Sequence, residues 1–80
     1  MIIRVIAFGI AREIFGKREI ELDIDGPINA VQLKNRLSLL YPELKEILSF
    51  AIAVNQEYAL PTTEINASDE IAIIPPVSGG

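Results

Sequence analysis

The chain contains no cysteine and no histidine in its 80 residues. The first absence excludes a disulfide framework, a thiolate metal site, a cysteine nucleophile and storage of sulfur as a persulfide on this chain. The second removes the commonest general base and the commonest metal ligand. An enzyme that works alone is therefore not expected, nor is a bound metal. Positive charge is also scarce. Seven Lys and Arg stand against eleven Asp and Glu, for a net charge of −4, and no basic block is present to follow a phosphate backbone. Nucleic acid is not an expected partner. The apolar start Met1-Ile2-Ile3 is interrupted by Arg4, and no later apolar run approaches the roughly 20 residues of a membrane helix. The expectation is a cytoplasmic protein that does not associate with membrane.

Hydrophobic residues make up 50% of the chain and charged residues 22%, which suits one packed core of modest size and no second domain. Ile2 to Phe8 is almost continuously apolar and β-branched, the pattern of a central strand buried on both faces or nearly so. Ala11 to Phe15 predicts one or two helical turns closed by Gly16, whose missing Cβ suits a left-handed helix end. Glu19 to Ile24 alternates strictly, with Ile20, Leu22 and Ile24 on one side and acids on the other, as in a half-exposed strand near a sheet edge. Asn29 and Gln32 have the spacing of a capping box opening a helix to about Tyr41. Within that helix Ala30, Leu33, Leu37 and Leu40 recur at helical spacing, so one stripe should pack on the sheet. A short helical piece over residues 43–48, a buried strand over 50–54, a turn at Asn55-Gln56-Glu57, a short strand at Tyr58 to Leu60 and a last buried strand over Ile71 to Ile74 complete the order. This order predicts an α+β fold, a β-grasp (ubiquitin-like) mixed sheet packed on one main helix, with the first and last strands parallel at its centre.

Pro75-Pro76 cannot donate to a sheet, so the domain should end at residue 76 and leave residues 77–80 as a flexible tail. Val77, Ser78, Gly79 and Gly80 could reach about 13 Å beyond the domain at about 3.3 Å per residue. Two terminal glycines carry no side chains, fit a narrow channel, and leave a carboxylate open to attack. A carboxylate reacts with nucleophiles only after one oxygen becomes a leaving group, as in an acyl-adenylate made with ATP. A sulfur donor would then leave a thiocarboxylate and a lysine an isopeptide bond, and the residues of this chain leave both outcomes open.

Asp69 to Gly80, ending Pro-Pro-Val-Ser-Gly-Gly, resembles the C-terminal signature of the small subunit of molybdopterin synthase. Phe8-Gly9-Ile10-Ala11-Arg12-Glu13-Ile14-Phe15-Gly16 is similar to that family's region after the first strand, and Ala53-Val54-Asn55-Gln56-Glu57 to its Ala-Val-Asn turn. The resemblance covers essentially the whole chain. It implies a sulfur carrier whose Gly80 is adenylated by an enzyme related to ubiquitin-activating enzymes, converted to a thiocarboxylate with a sulfur donor enzyme, and inserted with Gly79, Ser78 and Val77 into the large subunit. There it would donate sulfur to cyclic pyranopterin monophosphate in molybdenum cofactor biosynthesis. It further implies a heterotetramer of two small and two large subunits. ATP and magnesium would be used by the activating partner, and no cofactor would be bound by this chain. The family's docking patch maps onto Phe8, Tyr58 and Ile74, with Arg12 as a charged contact to the activating enzyme.

Other carriers of this shape feed thiamine synthesis or transfer-RNA thiolation, or become conjugated to proteins. The helical segment after the first strand and the Pro-Pro-Val ending favour the molybdopterin assignment. A binding module that uses its sheet face and has an inert tail is the reading from another class, and it makes the opposite prediction about removing Gly80.

Overall fold

The computed structural model describes residues 1–46 and 50–74. The proline pair, Val77 to Gly80, and the far end of the expected second helical piece, Ile47 and Leu48, lie outside the described residues. In chain order the elements are β1 (Ile2–Ala7), α1 (Gly9–Phe15), β2 (Glu19–Asp23), β3 (Ile28–Asn29), α2 (Ala30–Leu40), a 3-10 turn (Pro42–Glu46), β4 (Ala51–Val54), β5 (Glu57–Tyr58), β6 (Glu64–Ile65) and β7 (Ile71–Ile74). Five strands form one sheet in the order β2-β1-β7-β4-β5, and β3 pairs with β6 separately. β1 and β7 are parallel, while the other pairs are antiparallel. This mixed sheet with helices packed on one side is the expected β-grasp.

Local chemistry sets the helix ends. α1 stops because Gly16 adopts φ 76°, and its N–H donates to the Arg12 carbonyl at 3.0 Å. α2 begins with the expected capping box. The Asn29 Oδ1 accepts from the Gln32 N–H, and the Gln32 Oε1 accepts from the Asn29 N–H, both at 2.9 Å. Past α2 the chain tightens into the 3-10 turn, which opens on Pro42.

The core lies between the helices and one sheet face. Ile3 and Val5 of β1, Ile71 and Ile73 of β7 and Ile52 of β4 meet Leu33 and Leu37 of α2, with Ala11, Phe15, Leu44 and Phe50 completing the cluster. No buried side chain among the described residues is polar or charged.

Three expectations need correction. Leu40 was expected in the buried stripe with Ala30, Leu33 and Leu37; those three are buried, but Leu40 is exposed, because at about 3.6 residues per turn it lies at the margin of the stripe, and Tyr41, four residues after Leu37, packs against the core instead. The short strand expected at Tyr58 to Leu60 is instead Glu57–Tyr58, because Asn55 and Gln56 alone make the tight turn, both with positive φ. Third, β1 and β7 are not buried on both faces, since each alternates buried with more exposed residues. Apart from Arg4, their uncovered face is itself apolar, so the alternation hardly registers as a change of polarity along the sequence.

Candidate docking face

Register sorts the uncovered face into rows of neighbouring side chains. One row runs from Ile6 of β1 through Ala72 of β7 and Ala53 of β4 to Tyr58 of β5. The next row lies at the end of β7. Ile74 is opposite Ala51 and one residue beyond the Ala7–Ile73 pair. Phe8 is also one residue beyond that pair, and its extended backbone (φ −124°, ψ 156°) continues the alternation of β1. The strands of Phe8 and Tyr58 are three spacings apart, about 14 Å. Between them Ala51, Ala53 and Ala72 form a low floor. Phe8 (54% exposed) and Tyr58 (71%) stand up at its two sides, and Ile74 is half-buried at its edge. Exposed apolar side chains gathered on one face in this way make it a candidate contact surface.

The face becomes charged away from the end of β7. Arg4 is opposite Glu21, and Glu19 is opposite Ile6. The apolar rows are thus bounded on the β2 side by acids.

Two features hold the rows in place. The β4–β5 turn carries Tyr58, and its Asn55 is tied to the segment entering β7. Asn55 Nδ2 donates to Asp69 Oδ1 at 3.0 Å, Asn55 Oδ1 accepts from the Glu70 N–H at 2.9 Å, and the Asn55 N–H donates to the Glu70 carbonyl at 2.8 Å. Asp69 also closes its own turn by accepting from the Asn66 N–H at 2.8 Å. From the sequence Asn55 reads only as a turn former; that it fixes Tyr58 relative to β7 appears only with the fold. The second feature is the backbone of Phe8, the N-cap of α1, which stays extended before the helix begins and so keeps the residue in the alternation of β1.

Phe8, Tyr58 and Ile74 are therefore brought to one face. Arg12 is not on that face. It is exposed on α1 and lines a notch of about 330 Å³ at the end of β1 together with Ile6, Ala7, Phe8, Gly9 and Arg18. Arg18 is a residue the sequence offers no reason to single out. Gly80, Gly79, Ser78 and Val77 lie outside the described residues, but β7, the strand that leads to them in sequence, ends on this face. No group of three or more Asp and Glu side chains placed to hold a metal occurs among the described residues. No described helix is long and apolar enough to cross a membrane.

The ThiS family model matches residues 5–80. The chain belongs to the ThiS family. The molybdopterin synthase sulfur carrier subunit of Dictyostelium discoideum is 39% identical to this ThiS-family chain over 83 residues, covering 96% of this chain and 94% of that one. Among solved structures, SAMP1 of Haloferax volcanii, a small archaeal modifier protein, matches with a TM-score of 0.82 at 26% identity over 100% of both chains. A subunit in the protein–protein complex of subunits 1 and 2 of molybdopterin-converting factor from Helicobacter pylori matches with a TM-score of 0.67 at 27% identity, again over 100% of both chains. The family resemblance drawn from Asp69 to Gly80 and from Phe8 to Gly16 is thereby borne out.

Proposed function

We propose that this chain, as a member of the molybdopterin synthase sulfur carrier subunits, carries sulfur as a thiocarboxylate on Gly80 and docks through the apolar face beside β7. The observation that carries the reading is the Phe8–Ile74–Tyr58 saddle, an apolar surface left open at the end of the one strand that leads to the diglycine. Gly80 follows Ile74 by six residues, a span of at most about 20 Å of extended chain.

The chemistry divides between the proteins. The Gly80 carboxylate attacks the α-phosphate of ATP in an activating enzyme related to ubiquitin-activating enzymes, which uses magnesium, and pyrophosphate leaves. Sulfur at the sulfide level, delivered by a donor enzyme, attacks the acyl-adenylate and expels AMP, leaving the thiocarboxylate. Val77, Ser78 and Gly79 then thread into the large subunit, where the sulfur attacks a side-chain carbon of cyclic pyranopterin monophosphate and a carbon–oxygen bond there breaks, its oxygen leaving as water or phosphate. Water cleaves the acyl–sulfur bond, leaving sulfur on the pterin and returning the Gly80 carboxylate. Two such cycles build the dithiolene. Acid–base groups and the pterin pocket belong to the large subunit, so this chain is not an enzyme by itself and binds no cofactor. The assembly is a cytoplasmic heterotetramer of two small and two large subunits.

An intact-mass spectrum after incubation with ATP, magnesium, a sulfur donor and the cognate activating enzyme tests the reading. The expected result is a mass gain equal to exchange of one oxygen for sulfur, localised to Gly80. No gain, with an activating enzyme competent on another carrier, contradicts it and favours a binding module with an inert tail. A second reading, transfer of the Gly80 acyl group to a lysine, is favoured by the likeness to the Haloferax modifier protein. It predicts conjugates to other proteins in place of a free thiocarboxylate.

A further inference from the structure

The end of the sheet next to the saddle does not share the charge of the rest of the molecule. Three of the seven Lys and Arg residues lie between positions 12 and 18, with Glu13 the one acid in that stretch, in a chain of net charge −4. The fold turns this local excess into a site. Arg12 comes from α1. Arg18 comes from the turn before β2, where its carbonyl accepts from the Ala7 N–H at 2.8 Å, fixing its backbone against the last residue of β1. Both residues line the same notch, whose remaining lining, Ile6, Ala7, Phe8 and Gly9, offers no side-chain acceptor. No ion pair to either arginine occurs among the described residues. Glu19, next to Arg18 in sequence, lines a different depression with Arg4 and Glu21.

Guanidinium groups suit carboxylates through their planar, bidentate geometry, and apart from the two arginines the notch is apolar. The notch shares Ile6 and Phe8 with the saddle, so it adjoins the face on which a partner would sit. We propose that Arg12 and Arg18 together form a clamp for a carboxylate-bearing segment of the large subunit, adding a charged rim to the apolar docking face. The choice of the large subunit follows from the Helicobacter complex, in which a chain of this shape is bound to a second subunit. The inference rests on the carrier reading for its partner, and adds Arg18 as a specificity-determining residue.

The test is binding of the full chain to its cognate large subunit, measured calorimetrically at low and high salt. Wild type is compared with Arg18→Glu, Arg12→Glu, the double variant, Arg18→Lys, and Arg36→Glu, an exposed charge on α2 away from the notch. Circular dichroism and melting confirm that each variant is folded. Arg18→Glu is expected to weaken binding by about tenfold at low salt, the double variant by more, with the difference shrinking as salt rises. Arg18→Lys should keep part of the affinity, and Arg36→Glu should bind like wild type. Arg18→Glu binding within twofold of wild type overturns the clamp while leaving the carrier reading intact, as does an equal loss with Arg36→Glu. A variant that binds the large subunit normally but is thiocarboxylated slowly also overturns it, placing the acidic partner on the activating enzyme. Failure of wild type to bind the large subunit overturns both readings.

Discussion

At the end of the sheet where β7 finishes, its two faces are built from similar residues and differ in what covers them. Under the helices lie Ile3, Val5, Ile52, Ile71 and Ile73; on the other face lie Ile6, Phe8, Ile74, Tyr58 and a floor of alanines. On the covered face, removal of apolar area from water occurs within the chain and stabilises the fold. On the open face the same area is left in water until another molecule removes it. Residue type alone therefore does not separate core from contact surface here; the position of the helices does.

That comparison can be broken by mutation. The largest effect on folding is expected on the covered side. Ile73→Ala, at a side chain with 0% exposure, should lower stability by about 3 kcal/mol and the melting temperature by on the order of 15 °C. Partner affinity, measured below the transition, should change little. A melting temperature near that of wild type would show that the helices do not pack on β7 as described. On the open side the pattern should invert. Phe8→Ala with Tyr58→Ala should cost about 1 kcal/mol of stability or less and weaken binding to the large subunit by roughly tenfold or more; unchanged binding would remove the saddle from the account. The smallest effect sharpens the frame that separates the faces. Asn29→Ala deletes one arm of the capping box at the start of α2 and should cost about 1 kcal/mol in chemical denaturation, with no effect on partner affinity beyond that of the folded fraction.

Much of the fold was legible in the sequence because its signals are local. Gly16 closing α1, Asn29 with Gln32 opening α2, and the alternating acids of β2 each depend on a few adjacent residues. The small β3–β6 sheet was not legible, since two-residue strands leave no periodicity to read. Leu40 carried a helical spacing but lies at the margin of the stripe, where Tyr41 packs in its stead. For the site, Phe8, Tyr58 and Ile74 came from family resemblance, and the fold supplied the reason they belong together, the register of four strands. Arg18 was invisible because its meaning depends on Arg12 across a turn. The clasp of Asn55 on Asp69 and Glu70 likewise joins segments 14 and 15 residues apart.

The central claim is that the domain serves to present Gly80. It is tested most directly by a single-turnover reaction of the thiocarboxylated chain with the large subunit and cyclic pyranopterin monophosphate, run beside a variant lacking Gly80 that has been through the same activation. The account predicts sulfur appearing on the pterin with wild type as Gly80 returns to the carboxylate, and no sulfur transfer with the variant despite an unchanged melting temperature and retained binding to the large subunit. Sulfur transfer by the variant at the wild-type rate would contradict it.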